Sequence, residues 1–512
     1  MKVFVQKWFP ANSVRARLLS KGAKLTKACK KELVFMFRLV VVLALLLAEQ
    51  MAAQTLTTLY SFSALSQPDG TNADGANPQS QLILSGNTLY GTTYGGGVTN
   101  YGTVFAINTD GTGFTNLHNF TGSQDDGDRP TAGLLLSGDT LYGTTSDGGF
   151  FFAGGTVFSL KTNGTGFLLL HSFDVYNGDG LAPLCSVILS NNMLYGTISQ
   201  LGGGGGWGNG TVYALNKDDM TFTTLYILTR TNNDGAYPSD SLALSGDTLY
   251  GSAPQDGGSD SGTLFAISTD GSGFTNLYRF TAVSNNASGY ATNSDGAYPT
   301  GGLILSGNTL YGATSHGGVF GSGTLFSINT DGTGFTNLHN FTARSSNSFG
   351  VLTNSDGAGP KTLILSGDTL YGTADSAGSL GSGTAFALNT NGTGFKILHN
   401  FSGTSDGASP LAGLIISNTL YGTTYSGGST DSGTVFSLSL TPVSRPRLSI
   451  RSSGPNVILT WPTDATGFRL QSTTNLVSPI WTTNFPAPVV INGQNAVTNP
   501  ISGTRRFYRL SQ

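Results

Sequence analysis

The tripeptide Leu-Tyr-Gly occurs seven times in this chain, with its tyrosine at Tyr90, Tyr142, Tyr195, Tyr250, Tyr311, Tyr371 and Tyr421. The successive gaps are 52, 53, 55, 61, 60 and 50 residues. Self-similarity at that period restricts the chain to a repeat architecture before any single residue is weighed. A residue that recurs with the repeat is therefore read first as a structural residue.

The unit that starts at Gly133 reads as four strands. A short apolar strand at 134–136 meets a tight Ser-Gly-Asp turn, and a second strand at 140–145 holds the Leu-Tyr-Gly. A glycine-rich loop at 146–154 leads to a third strand at 155–160. The Thr-Asn-Gly-Thr-Gly at 162–166 is a hairpin signal, and a fourth strand at 167–173 follows. No sustained helical periodicity is present beyond the N-terminal region. Charge is scarce within the strands, which predicts that both sheet faces are covered.

Four strands per unit of about 50 residues resemble a propeller blade, and a parallel β-helix is the rival with shorter coils. The termini discriminate between them. The fourth-strand pattern appears at 56–62, 114–120, 167–173, 222–228, 274–280, 335–341 and 395–401. The first of these stands alone, and the last Leu-Tyr-Gly unit ends at Gly433-Thr434-Val435-Phe436 without a fourth strand. A ring can use that split, because an orphan strand at 55–62 completes the final blade and removes a sheet edge. The expectation is an all-β chain: a seven-bladed β-propeller over 54–442, closed by an N-terminal strand.

The unit Leu-Ile-Leu-Ser-Gly-Asn-Thr-Leu-Tyr-Gly-Thr-Thr at 82–93 is followed by Gly-Thr-Val-Phe at 102–105 and Asp-Gly-Thr-Gly-Phe-Thr-Asn-Leu-His-Asn-Phe at 110–120. This order of segments resembles the choice-of-anchor tandem-repeat proteins called GloVer. The resemblance implies an exported bacterial repeat protein with a variable C-terminal attachment region. It implies no catalytic residue and no substrate.

Residues 1–38 hold ten of the 25 Lys and Arg, and an apolar run at 39–48 leads to Ala52-Ala53. That order reads as a secretory signal peptide over 1–53. Met36-Phe37-Arg38 would begin an ordinary one, so 1–35 is consistent with a misassigned start. The apolar run is about half the ~20 residues a spanning helix needs, so no transmembrane span is expected in the mature chain. Removing 1–53 leaves 15 basic and 26 acidic residues, a net charge of −11. That balance argues against nucleic acid and anionic membrane as partners. All 26 acids are aspartate, a turn former, which makes the acidity architectural. Cys185 is the one cysteine after residue 53, so stability rests on a core and not on internal disulfides.

In a four-stranded meander the second-to-third loops and the connections between units share one face. These are the loops that vary and lengthen, as at 282–294 and 343–355, and variable loops on a rigid scaffold are where binding resides. They carry the aromatic candidates Tyr94, Phe151, Trp207, Phe320 and Tyr425, with His316 among them. Each unit is entered through Asp-Gly-x-x-Pro, with Asp74, Asp126, Asp179, Asp234, Asp295, Asp356 and Asp406. Seven carboxylates around one face could hold a hard cation such as Ca2+. The plainer reading is a turn into a strand, since Asp, Gly and Pro make turns.

Nucleophilic or acid–base signals are weak. His118, His171, His339 and His399 occupy one fourth-strand position that is Tyr60, Tyr226 and Tyr278 elsewhere, which suits packing. After residue 442 the repeat stops, and 443–512 reads as a small β-sandwich-like module resembling a short fibronectin type III domain. Strands are expected there at 456–461, 467–472, 480–484, 489–492 and 506–510. Seven of the 15 basic residues lie from Arg445 onward. The chain thus reads as an exported, non-catalytic binding or adhesion protein, secreted or at the cell surface, for polysaccharide or a surface protein. The alternatives are a carbohydrate-active hydrolase or lyase using loop-face aspartates, and a structural surface component.

Overall fold

The computed structural model describes residues 54–440 and 448–511, apart from 151–153, 203–208, 230–231, 464–468, 475–480, 484, 492 and 502–505. The expected signal peptide at 1–53 and the candidates Phe151 and Trp207 lie outside the described residues. The fold is all-β and propeller-like. Helix among the described residues is limited to 3-10 turns, as at Val175–Asn177, and none is a helix long and apolar enough to cross a membrane.

The chain divides into Gln54–Pro442 and a second unit that contains Val443–Gln512. In the first repeat Ile83–Ser85, Thr88–Thr93, Thr103–Asn108 and Thr115–Asn119 form one antiparallel sheet in sequence order. Five further repeats build the same sheet. The last repeat has three strands of its own, Ile415–Ile416, Thr419–Thr424 and Thr434–Ser439. Their fourth partner is Leu56–Ser61, paired antiparallel with Thr434–Ser439 from Leu56↔Leu438 to Ser61↔Thr434.

The Leu-Tyr-Gly motif is a packing triplet. Leu89 and its six equivalents are fully buried, each worth about 1.5–3 kcal/mol of transfer free energy. The glycine lies directly across from the third-strand phenylalanine, as in Gly91↔Phe105. A Cβ on Gly91 would sit 2.6 Å from that ring, and one on Gly312 would sit 2.4 Å from Phe326. Second and third strands are buried on both faces, because each sheet packs between its neighbours. Tyr90, Val104 and Phe120 of one repeat meet Leu134, Leu141 and Phe158 of the next. The same contact joins the two ends: Tyr421 and Val435 share a cluster with Phe62, Leu82, Leu89 and Phe105.

Each of the seven repeat sheets carries a bulge between its third and fourth strands. Val104 pairs with His118 and Phe105 with Asn116, which leaves Leu117 unpaired. Leu59 takes that place where Leu56–Ser61 joins the last sheet. The bulge re-aims the fourth strand's His or Tyr.

The connections at 282–294 and 343–355 are not plain loops. Ser284–Asn285 pairs with Ala291–Thr292, and Ser345–Ser346 with Leu352–Thr353, so each folds into a small hairpin. In the C-terminal unit Ser449–Ser453, Asn456–Pro462, Gln494–Pro500 and Val489–Ile491 form a four-stranded sheet, in that order. Arg469–Thr473 pairs with Phe507–Ser511, and Leu459, Trp461, Leu470 and Val497 make the core. Ser449–Ser453 and Gln494–Pro500 were not expected from the sequence. The strand expected at 480–484 reduces, among the described residues, to an isolated bridge between Ser472 and Thr482.

Candidate functional site

A cavity of about 660 Å³ is lined in all seven repeats by the segment that leads into or begins the first strand, from 79–81 to 411–413. The chain enters each of those strands through Asp-Gly-x-x-Pro, and four of that motif's five positions have a structural duty. The aspartate ties back to the bulged fourth strand before it. Tyr60, Tyr226 and Tyr278 donate to Asp74, Asp234 and Asp295 at 2.8, 3.0 and 2.9 Å. His118, His171, His339 and His399 meet Asp126, Asp179, Asp356 and Asp406 at 3.1, 3.1, 3.0 and 2.9 Å. Backbone N–H groups complete the cradle, as from Ser63 to Asp74 and Thr281 to Asp295. The Ser63 and Thr281 hydroxyls add short bonds to the same carboxylates.

Burial raises the Asp126 and Asp406 carboxyls, but hydrogen bonds, among them those from His118 and His399, leave both below the usual value. Burial leaves Asp234 raised, against the hydrogen bonds it accepts from the Thr229 N–H and the Tyr226 hydroxyl. Burial and the hydrogen bond to Asp234 push Tyr226 up to about 12. The same ring positions stack on the next repeat: His339 lies 3.8 Å from Phe395 and Tyr278 4.0 Å from Phe335.

The motif's glycine follows for steric reasons, since a Cβ on Gly75 would lie 2.2 Å from the Thr93 hydroxyl. The next residue is buried, as at Ala76, Ala236, Ala297 and Ala358. The proline closes on the preceding repeat. A Cβ on Gly323 would lie 2.6 Å from Pro360, and one on Gly433 would lie 2.6 Å from Pro78.

The fourth position is different. Asn77, Arg129, Ala182, Tyr237, Tyr298, Gly359 and Ser409 all have φ between 52° and 66°, the left-handed region that glycine favours. Six of the seven are nevertheless not glycine. The backbone N–H at each is fixed to the preceding repeat, as Arg129 to Tyr101, Tyr298 to Ser261 and Ser409 to Ser382. The backbone is thus constrained while the side chain is unconstrained by the repeat, and its chemistry changes from unit to unit. Left-handed non-glycine residues cost of order 1 kcal/mol or more each and concentrate at functional sites.

These side chains gather with residues from the ends of the second strands. Tyr94 lies under the Arg129 guanidinium at 5.7 Å. Arg129 also stands 3.9 Å from Asp128 and 3.6 Å from Asp147. Asp128 occupies the motif position that is alanine or leucine in the other six repeats. It is 9% exposed, and its Oδ1 accepts no hydrogen bond. Burial pushes its carboxyl up to about 6, opposed by the charge of Arg129 and reinforced by Asp147.

His316 keeps an exposed edge, bonds the Ser315 hydroxyl through Nδ1 at 3.0 Å, and meets Tyr298 edge-on at 5.4 Å. Partial burial, then the charges of Arg344 and Lys361, hold it below its ordinary value against the pull of Asp375. Lys361 is itself paired with Asp375 at 2.9 Å. Within the cavity wall Asp240 accepts from the Gly301 N–H at 2.7 Å and the Ser252 hydroxyl at 2.9 Å, and burial raises it.

Tyr94 and Tyr425 therefore stand at equivalent strand ends beside the left-handed positions, with His316 one residue further along its own strand, and the Tyr425 carbonyl accepts from Asn77 at 3.0 Å. Phe320 stands apart from them, 40% exposed, in the loop that packs on the 284–292 hairpin. The seven motif aspartates are each held by their own tie, and no three His, Cys, Asp or Glu form a metal-holding group among the described residues. Sequence reasoning passed over Asp128, Arg129, Asp240, Tyr298, Arg344, Lys361 and Asp375. Aligning the repeats on Asp-Gly-x-x-Pro would have exposed Asp128, which alone breaks the buried apolar position.

Among solved structures, the chain is similar to an oligogalacturonate lyase in complex with manganese, with a TM-score of 0.43 and 8% identity over 76% of this chain and 99% of that one. An oligogalacturonate lyase from Vibrio parahaemolyticus gives 0.45 and 9% over 76% and 97%. TolB from Acinetobacter baumannii gives 0.34 and 12% over 58% of this chain, which spans 59% of TolB. No curated protein matches the chain. The family model of the Gloeobacter/Verrucomicrobia repeat matches residues 48–206, 155–357 and 286–453, and the chain belongs to that family.

Proposed function

We propose that Gln54–Pro442 is a seven-bladed β-propeller closed by the strand Leu56–Ser61, and that it serves an exported protein as a non-catalytic binding module. Its ligand face is the mouth lined by the left-handed fourth positions and the second-strand ends, and its partner is an extracellular polysaccharide or a surface protein. The observation that carries this reading is the non-glycine left-handed series Asn77, Arg129, Ala182, Tyr237, Tyr298 and Ser409. Glycine would meet the backbone requirement at this position at no steric cost, as it does at Gly359.

Purified mature protein passed over immobilised polysaccharides and surface-protein extracts tests this, with retention and product release scored together. Retention that Tyr298→Ala and Arg129→Ala weaken supports the reading. Retention unaffected by every mouth substitution overturns it. A second reading rests on Asp128 and Asp147, two carboxyls on cross-strand neighbours that share Arg129. Two neighbouring carboxyls, one of them raised by burial, are the arrangement of acid–base hydrolysis. Release of product, lost in Asp128→Ala, would favour that reading over binding alone.

A further inference from the structure

Arg344 is the residue the fold explains least. It is partly buried, its Nε is shielded from water, and that Nε has no hydrogen-bond partner. The other partly buried cations described in 54–440 are Lys161, Lys217 and Lys361, and each holds an aspartate. Arg344 has no carboxylate at ion-pair distance among the described residues, in a chain where 26 aspartates were available after residue 53. Leaving a guanidinium donor shielded and unpaired is unfavourable unless a ligand completes it.

The surroundings have a second unusual property. Arg344 precedes the hairpin of Ser345–Ser346 and Leu352–Thr353, and its guanidinium lies 5.1 Å from the ring centre of Tyr290 on the sister hairpin. The two hairpin segments align residue for residue, with Val283 in the first where Arg344 stands in the second, and Ser288 where Phe349 stands. The first packs on the loop after His316, where a Cβ on Gly321 would lie 2.9 Å from Tyr290. Val319, Phe320, Phe349 and Leu380, which lie in or beside these hairpins, are 56, 40, 89 and 53% exposed. Arg344 is close enough to His316 for its charge to act on that ring.

We propose that the two hairpins and the adjoining His316 mouth bind a carboxylated polysaccharide, with Arg344 taking the sugar carboxylate and Tyr290, Phe320 and Phe349 meeting the sugar faces. This rests on the reading of the loop face as a glycan-binding surface and names the chemical class it selects. A planar guanidinium matches a carboxylate in a forked geometry. The exposed rings of Phe320 and Phe349, with the half-buried Tyr290, suit the apolar faces of pyranoses. An extended acidic peptide would add to a strand edge, and these hairpin strands are two residues long.

The test is affinity electrophoresis of the full mature chain in alginate and in its neutral propylene glycol ester, with the wild type, Arg344→Val and Phe349→Ser. Valine is what the sister hairpin carries, so that variant should keep the wild-type melting curve. The expected result is binding of alginate at least tenfold tighter than of the ester, weakening with salt, and reduced to the ester level by Arg344→Val. Equal binding of both polymers by the wild type, or no effect of Arg344→Val, overturns the inference and leaves glycan binding standing. Arg344-dependent binding of polyglutamate without alginate overturns it in favour of an acidic peptide. Failure to bind any polysaccharide of a broad panel removes both this inference and the glycan reading beneath it.

Discussion

At the scale of single residues, the repeats act as one another's controls. Tyr213 is fully buried opposite Gly196, where the other six repeats carry phenylalanine, and its hydroxyl has no hydrogen-bond partner. Tyr213→Phe removes that buried hydroxyl, so unfolding in denaturant should show a gain of about 1 kcal/mol. A loss would mean that the hydroxyl is satisfied in solution. Asp128 makes the converse case. Its folded carboxyl is raised from 3.8 to about 6, so between those values the folded state keeps a proton that the unfolded chain releases. Its contribution therefore falls as pH rises through that window and stays low above it. Asp128→Ala, the residue found in five of the six sister repeats, should stabilise the protein at pH 7 by on the order of 1–3 kcal/mol and lose that advantage below pH 4. Melting temperatures across that range check it, and a difference that does not vary with pH would contradict the assignment.

At the scale of elements, the glycines separate conformational cost from crowding. Gly323 has φ +97°, with the Thr314 carbonyl 2.3 Å and Pro360 2.6 Å from where a Cβ would stand. Gly307 has φ +57° in a turn with nothing within 4 Å. Gly307→Ala should cost about 1 kcal/mol, a left-handed penalty alone. Gly323→Ala should cost about 3 kcal/mol or more, because backbone and proline of the next repeat must also move. Similar losses in thermal unfolding would mean that the close approach between repeats is absent. Elements were the level most legible in the sequence. The strand expected at 140–145 is Thr140–Thr145, and the one at 222–228 is Phe222–Ile227. The hairpins within 282–294 and 343–355 were not legible, since two-residue strands such as Ser345–Ser346 carry no periodicity. The bulge at Leu117 was hidden as well, and with it the reason why histidine and tyrosine exchange there: both reach the next aspartate and both stack on the next phenylalanine.

At the scale of the whole molecule, the candidate site was only half legible. Tyr94, His316 and Tyr425 could be named because aromatic residues in loops stand out, but their cationic and acidic neighbours could not. Arg129, Lys361 and Arg344 come together with them only through the left-handed turns and hairpins that connect one repeat to the next. All of this geometry depends on the two ends of the chain meeting. Thr57 and Ser437 are cross-strand partners in the antiparallel pair that joins them, at a separation suited to a disulfide. After residue 53 the chain has one native cysteine, Cys185, and it is buried. The most direct measurement is oxidation of the Thr57→Cys, Ser437→Cys double variant, followed by peptide mapping and thermal melting. An intramolecular 57–437 disulfide formed in the native state, with a raised melting temperature, is the predicted result. Free thiols, or disulfides only between molecules, would contradict a ring closed by its N-terminal strand.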